Sequence, residues 1–229
     1  MTKRIVVAID GPSGAGKSTI ARRVAEKLGC IYIDTGAMYR AVALWASRLG
    51  VDLTDGLRLE QLAAAAEIQF ESGSSRLLLN GEDVSEEIRA PRMSQAASKV
   101  SSVAGVRRAL VAKQRAMGAE SSVVMEGRDI GTVVFPEAGV KVFLDADPRA
   151  RAERRVRELR DKGLEADAGE VARELDERDE RDRGRADSPL LQAPDAIYLD
   201  STALTPDQVE LAILKVIRDR TSNGKELSN

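Results

Sequence analysis

The stretch Ile5-Val6-Val7-Ala8-Ile9-Asp10-Gly11-Pro12-Ser13-Gly14-Ala15-Gly16-Lys17-Ser18-Thr19 decides the fold. Its first five residues form an apolar, largely β-branched run of strand length. Gly11 to Ser18 fits G-x-x-x-x-G-K-[ST], a glycine-rich phosphate-binding loop. From Lys17 the apolar residues Ile20, Val24 and Leu28 recur every four positions, as on one face of a helix spanning 17–28. Strand, loop and helix is the context the motif requires. Gly11, Pro12, Ser13, Gly14, Ala15, Gly16, Lys17, Ser18 and Thr19 would wrap the phosphates, and the backbone N–H groups of all but Pro12 would form an anion cradle at the positive end of the helix. Lys17 would reach the terminal phosphates and the Ser18 hydroxyl would face Mg²⁺. The expected ligand is a nucleoside triphosphate.

Working outward, four further β-rich segments fall at 30–34, 122–126, 140–145 and 196–200, each closing on a carboxylate: Asp34, Glu126, Asp145 and Asp200. They alternate with helical segments near 37–49, 57–66, 104–117, 148–161, 168–182 and 205–220. Near-continuous apolar strands alternating with helices predict an α/β fold with a buried parallel sheet, and ligands beyond the carboxyl ends of its strands. One segment breaks the alternation. Residues 68–71, 76–79 and 83–84 read as short strands, with Asn80-Gly81 as a hairpin turn. Antiparallel strands do not belong in a doubly wound core, so they predict an inserted subdomain. The tail 221–229 is polar and is expected to fray.

Composition narrows the chemistry. The 229-residue chain has no histidine, which excludes an imidazole base and His-ligated metals. Phosphoryl transfer needs neither. A net charge of −2 gives no global field for nucleic acid, and 3 Phe, 3 Tyr and 1 Trp make no stacking platform. The lone Cys30 fits a reducing compartment, which predicts a cytoplasmic protein. No stretch is apolar enough for a signal peptide or a membrane span. Between Arg149 and Arg185 there are 11 Arg but only 1 Lys, against 12 acidic residues. Most of these charges fit a solvated helical face, but arginine is also the residue that grips phosphate through a planar fork.

Beyond the loop, the segments Asp34-Thr35-Gly36-Ala37-Met38-Tyr39-Arg40, Glu126-Gly127-Arg128-Asp129-Ile130-Gly131-Thr132-Val133-Val134-Phe135-Pro136, Glu177-Arg178-Asp179-Glu180-Arg181-Asp182-Arg183 and Leu199-Asp200-Ser201-Thr202 resemble the bacterial cytidylate kinase family. The likeness runs in family order to residue 202. It implies a single P-loop NTPase three-layer sandwich with a five-stranded parallel sheet, an antiparallel-sheet and helix insert at 64–103 for the nucleoside monophosphate, and a helical lid at 152–166. The implied reaction is transfer of a phosphoryl group from Mg-ATP to CMP or dCMP, in a monomer with no nucleic-acid or membrane partner.

The resemblance also assigns roles. Arg40, Arg128 and Arg185 would fork onto the acceptor phosphate. Asp129 would take the cytosine amino group, Arg107 would donate to N3 or O2, and Ser98 could serve either sense. Asp34, Thr35, Arg178 and Asp182 belong to the acceptor pocket, the last three toward the ribose. Lys17, Arg128 and Arg185 would be catalytic, and Arg157, with Arg154, Arg155 and Arg160, a candidate arm over ATP. Glu126 would orient a metal-bound water or merely end its strand. The residues alone leave Arg107 indistinguishable from Arg108, and the 178, 182, 185 spacing also fits a structural ion-pair ladder. A small kinase acting on UMP, AMP or a non-nucleotide alcohol shares the loop. A GTPase switch is opposed by the lack of N-K-x-D and D-x-x-G segments.

Overall fold

A computed structural model describes residues 4–71 and 76–226. The first strand, β1 (Val6–Asp10), lies at the centre of a five-stranded parallel sheet. Its neighbours are β6 (Val123–Gly127) and β7 (Val140–Asp145), with β2 (Ile31–Asp34) and β8 (Ile197–Asp200) at the edges, in the order β2-β6-β1-β7-β8. Alternation along β1 divides the core. Val7 and Ile9 pack with Ile20 and Val24 of α1 (Lys17–Leu28) and Val209, Ile213 and Ile217 of α8 (Pro206–Glu226). Ala8 faces the opposite layer, with Met38 and Val42 of α2 (Thr35–Arg48) and Val106 and Leu110 of α5 (Ala104–Glu120). A sheet covered by helices on both faces is what apolar strands require.

The insert is present as a three-stranded antiparallel sheet of β3 (Ile68–Phe70), β4 (Leu77–Leu79) and β5 (Glu82–Asp83). Asn80 and Gly81 both have positive φ, 52° and 83°, as a two-residue hairpin turn of this hand needs. The 64–103 stretch also takes in the last residues of α3 (Gly56–Ala65) and all of α4 (Pro91–Val100). Its Leu77, Leu79, Val84, Ile88 and Met93 share one continuous core with Ile33 and Met38, so the insert is built onto the main core. α6 (Pro148–Asp161) and α7 (Ala168–Arg183) form a packed helical pair, and 152–166 takes in most of α6 with the connection that follows it.

Some boundaries differ from the sequence reading. α2 starts at Thr35, because the Asp34 carboxylate caps it by accepting from the Ala37 N–H at 2.9 Å. α8 continues through Glu226, past the end expected near 220; the Thr221 hydroxyl donates back to the Ile217 carbonyl at 2.8 Å. Residues 227–229 lie outside the described residues. A π-helical turn at Ile130–Val134 also replaces any regular element after β6.

Gly11 is where the main chain leaves the sheet. Its φ is +147°, and a Cβ there would stand 1.9 Å from the Leu144 carbonyl oxygen on β7. That neighbour is backbone and cannot swing away. Gly11→Ala is therefore expected to lose roughly 4 kcal/mol or more of stability, read as a large drop in the urea midpoint. A midpoint within error of the parent would refute this account of the strand-to-loop exit.

Candidate active site

Beyond the carboxyl ends of the strands lies a cleft of about 1370 Å³. Ser13 to Thr19 form one wall, and Asp34, Arg40, Ser98, Glu126, Arg128, Arg154, Arg157 and Arg178 also border it. Gly16, in a left-handed conformation, leads into α1 and turns its first N–H groups toward the cleft. Lys17 is buried, with its Nζ donating to the Pro12 carbonyl at 2.6 Å. Burial, aided by the charge of Arg128, pulls its pKa down to about 7.

Ser13 is the junction of the site. Its N–H donates to Asp179 Oδ1 at 3.0 Å, and its carbonyl accepts from Arg151 at 2.9 Å. Its hydroxyl accepts from Arg128 Nη2 at 2.8 Å. Asp179 and Arg151, on α7 and α6, also form a buried ion pair with each other. Every polar group of Ser13 is thus held, two by the helical pair and one by the arginine that follows β6. Gly14 lies against the same helix, where a Cβ would meet Arg151 Cβ at 3.1 Å.

Arg128 then reaches α7, donating from Nε to Asp182 Oδ2 at 2.8 Å, while Arg185 pairs with Asp182 Oδ1. Burial alone would raise the Asp182 carboxyl; Arg128, Arg185 and Arg178 together hold it below the usual carboxylate range. Arg178 donates to Ser94 Oγ at 2.9 Å, and burial plus the Arg128 charge brings its pKa down to about 9. Three clustered guanidinium groups with one shared carboxylate make a site short of negative charge. That is the electrostatic signature of an anion pocket.

The remaining sequence-assigned residues fall in two groups. Arg40 borders the cleft and pairs with Asp34 Oδ2 at 2.7 Å, leaving its Nε buried and without a partner. Ser98 Oγ is also buried and without a partner, though the residue borders the cleft. Arg107 and Asp129 pair with each other, both about one-twentieth exposed, and Arg107 lies 5.7 Å from the centre of the Tyr39 ring. Thr35, Arg107, Asp129, Asp182 and Arg185 are not among the residues that border this cleft. The Thr35 hydroxyl donates to the Glu126 carbonyl at 2.7 Å. Arg157 is exposed at the cleft mouth, whereas Arg154 turns onto the loop after β8, donating to Ser201 Oγ at 3.0 Å and the Ser201 carbonyl at 2.5 Å. Arg155 pairs with Glu158.

Sequence reasoning missed Asp179, Arg151 and Tyr32. Asp179 stands three residues before Asp182 on one face of α7, a signal hidden among alternating charges. Arg151 was one of many arginines. Tyr32 donates its hydroxyl to Glu126 Oε1 at 2.6 Å. Burial, with the Asp34 charge, raises the Glu126 carboxyl, against the opposing pull of Lys17 and of the nearby Ser18 and Tyr32 hydroxyls. Ser18 and Glu126 offer the hard oxygen donors that suit Mg²⁺ delivered with phosphates. Among the described residues there is no cluster of three or more metal-ligating side chains, which a magnesium carried by its nucleotide does not require.

Sheet order, loop and cleft define a P-loop nucleotide-binding α/β protein of the kinase type. A gluconokinase from Sinorhizobium meliloti 1021 shares the fold at a TM-score of 0.51 and 16% identity, over 99% of this chain and 100% of that one. In sequence, residues 7–219 match the profile of the cytidylate kinase family. The cytidylate kinase of Solibacter usitatus (strain Ellin6076) is 61% identical over 228 residues, 99% of this chain and 97% of that protein. That of Pelotomaculum thermopropionicum (strain DSM 13744 / JCM 10971 / SI) is 50% identical over 222 residues, 96% of each. The chain belongs to the cytidylate kinase family.

Two measurements probe this geometry. Asp179→Ala leaves Arg151 charged and unpaired in the interior, so it should cost ~3–5 kcal/mol and lower Tm by roughly 6–20 °C. A Tm within about 2 °C of the parent would show the pair to be inert. Lys17, neutral in most molecules above its lowered pKa, must regain its proton to meet phosphate. Binding of Mg-ATP at pH 8.5 should then take up protons, and Lys17→Met should abolish that uptake. Calorimetry in buffers of different ionisation enthalpy reads it directly; the same observed heat in every buffer would contradict it.

Proposed function

We propose that this protein transfers the γ-phosphoryl group of ATP to CMP or dCMP, giving ADP and the corresponding diphosphate. The observation that carries the reading, beside family membership, is the single hydrogen bond between Ser13 of the donor loop and Arg128. It puts the cradle for one nucleotide's phosphates against the arginine cluster suited to the other's. The loop would hold the ATP phosphates by backbone N–H groups, with Lys17 countering charge on the group in flight. Mg²⁺ held toward Ser18 and Glu126 would screen the phosphate oxygens and fix their orientation.

On the acceptor side, Arg40, Arg128 and Arg185 supply forked donors for the CMP phosphate. Swinging Arg128 or Arg185 onto phosphate would leave Asp182 free to accept from a ribose hydroxyl, with Thr35 and Arg178 beside it. The Arg107–Asp129 pair carries one donor fork and one carboxylate, the complement of the cytosine ring nitrogen and carbonyl and of its exocyclic amine. Uracil presents the opposite sense at N3 and position 4, and each mispaired buried group costs ~1–3 kcal/mol. The unpartnered Ser98 hydroxyl can complete either edge. The 64–103 insert would close on the monophosphate and the 152–166 lid, with Arg157, on ATP, excluding the water that would otherwise take the phosphoryl group.

The chain's self-contained cleft supports a monomer. Among the described residues no helix is long and apolar enough to cross a membrane, and a cytoplasmic location fits the single cysteine.

Initial rates of ADP formation with CMP, dCMP, UMP, AMP, GMP and no acceptor test the assignment. Turnover should be strong with CMP and dCMP, slower with UMP and near blank with the purines. Comparable AMP or GMP rates would overturn the acceptor assignment while sparing the loop. In Asp129→Ala, kcat/KM for CMP should fall roughly tenfold to hundredfold through one lost charged hydrogen bond.

A further inference from the structure

Asp10, the last residue of β1, has a buried carboxylate that no role above uses. Its Oδ1 accepts from the Ile130 N–H at 2.8 Å and its Oδ2 from the Gly131 N–H at 2.7 Å, the first two amides of the π-helical turn. Its backbone stands opposite Gly127 in the β1–β6 register. Arg128 and Asp129 are therefore a two-residue span between two anchors, and both anchors are Asp10. The far side is tied as well, since the Asp129 carbonyl accepts from the Val133 and Val134 N–H groups at 2.9 and 3.1 Å.

The residue type matters. A carboxylate offers one oxygen to each of two adjacent amides, whereas asparagine offers a single acceptor oxygen for both. The charge stands in a hostile place: burial pushes the Asp10 pKa up to about 7, with Asp129 adding to the push and the two amides opposing it. The neighbours leave little slack. A Cβ on Gly127 would lie 2.7 Å from Ile130 Cδ1 and from Thr35 Oγ1. One on Gly131 would lie 3.1 Å from Lys141 Cδ and 3.4 Å from Asp10 Oδ2.

We infer that Asp10 is a positioning residue for acceptor specificity, setting the places of Arg128 and Asp129 by clamping the turn that follows them. It touches neither nucleotide. It adjoins Gly11, so the strand end that launches the donor loop also fixes the residues assigned to the acceptor. This inference rests on the reading that Asp129 faces the base.

The test compares kcat/KM for CMP and for UMP at saturating Mg-ATP in the parent, Asp10→Asn and Asp129→Ala, each from one preparation. The ratio of the two constants is independent of how much of a preparation is folded, so loss of structure alone does not move it. Asp10→Asn should lower the CMP-to-UMP ratio by roughly fivefold or more, by leaving one amide unsatisfied and the span loose. A ratio within about twofold of the parent, alongside a collapsed ratio in Asp129→Ala, overturns the role of Asp10 and leaves the base-reading assignment standing. An unchanged ratio in Asp129→Ala overturns that assignment and this inference with it. If Asp10→Asn does not fold, Gly131→Ala presses a methyl between Asp10 and Lys141 and acts on the same clamp; a parental ratio there likewise overturns the role.

Discussion

Ser13 holds the site together. One residue at the apex of the phosphate-binding loop gives its N–H to Asp179, its carbonyl to Arg151 and its hydroxyl to Arg128. A loop of this kind binds anions only if its amides converge, and a glycine-rich chain pays heavily in entropy to hold one shape. Tying Ser13, the one residue between Gly11 and Gly16 with a hydroxyl side chain, to three elements removes that freedom before any ligand arrives. The same bonds fix where α6 and α7 stand relative to the sheet, so loop conformation and helix placement are one constraint.

Most charges around this junction are answered by a partner of opposite sign. Arg151 answers Asp179, and Asp182 answers Arg128 and Arg185. Removing either carboxylate would leave a buried guanidinium uncompensated, which costs more than the pair contributes. Arg178 is the exception, with its buried Nε unpartnered and its pKa pulled down to about 9. Arg40 Nε and Ser98 Oγ are left similarly unmatched. Such groups, bordering one cleft, are the polar deficits that a phosphorylated ligand would fill.

Much of this was readable from residue order. The loop motif, its flanking strand and helix, the five apolar strands and the Asn80-Gly81 hairpin all follow from local rules: period-2 and period-3.6 burial, and the positive φ that a tight hairpin requires. The start of α2 at Thr35 was missed because a capping aspartate looks, in sequence, like the end of a strand and nothing more. The continuation of α8 past residue 220 was missed because a polar stretch gives no sign that a threonine hydroxyl bonds back into its helix.

The sequence by itself determined the class of fold, the nucleotide loop and, through the Gly127-Arg128-Asp129-Ile130-Gly131 run, the family. These are carried by contiguous residues whose spacing is set by backbone geometry. Only the tertiary structure decided which charges act and which merely solvate. Asp10 and Gly131 are 121 residues apart, and Ser13 and Asp179 are 166 apart. No periodicity links such pairs, because their contact exists only once the sheet register and the packing of α6 on α7 bring them within a hydrogen bond of each other.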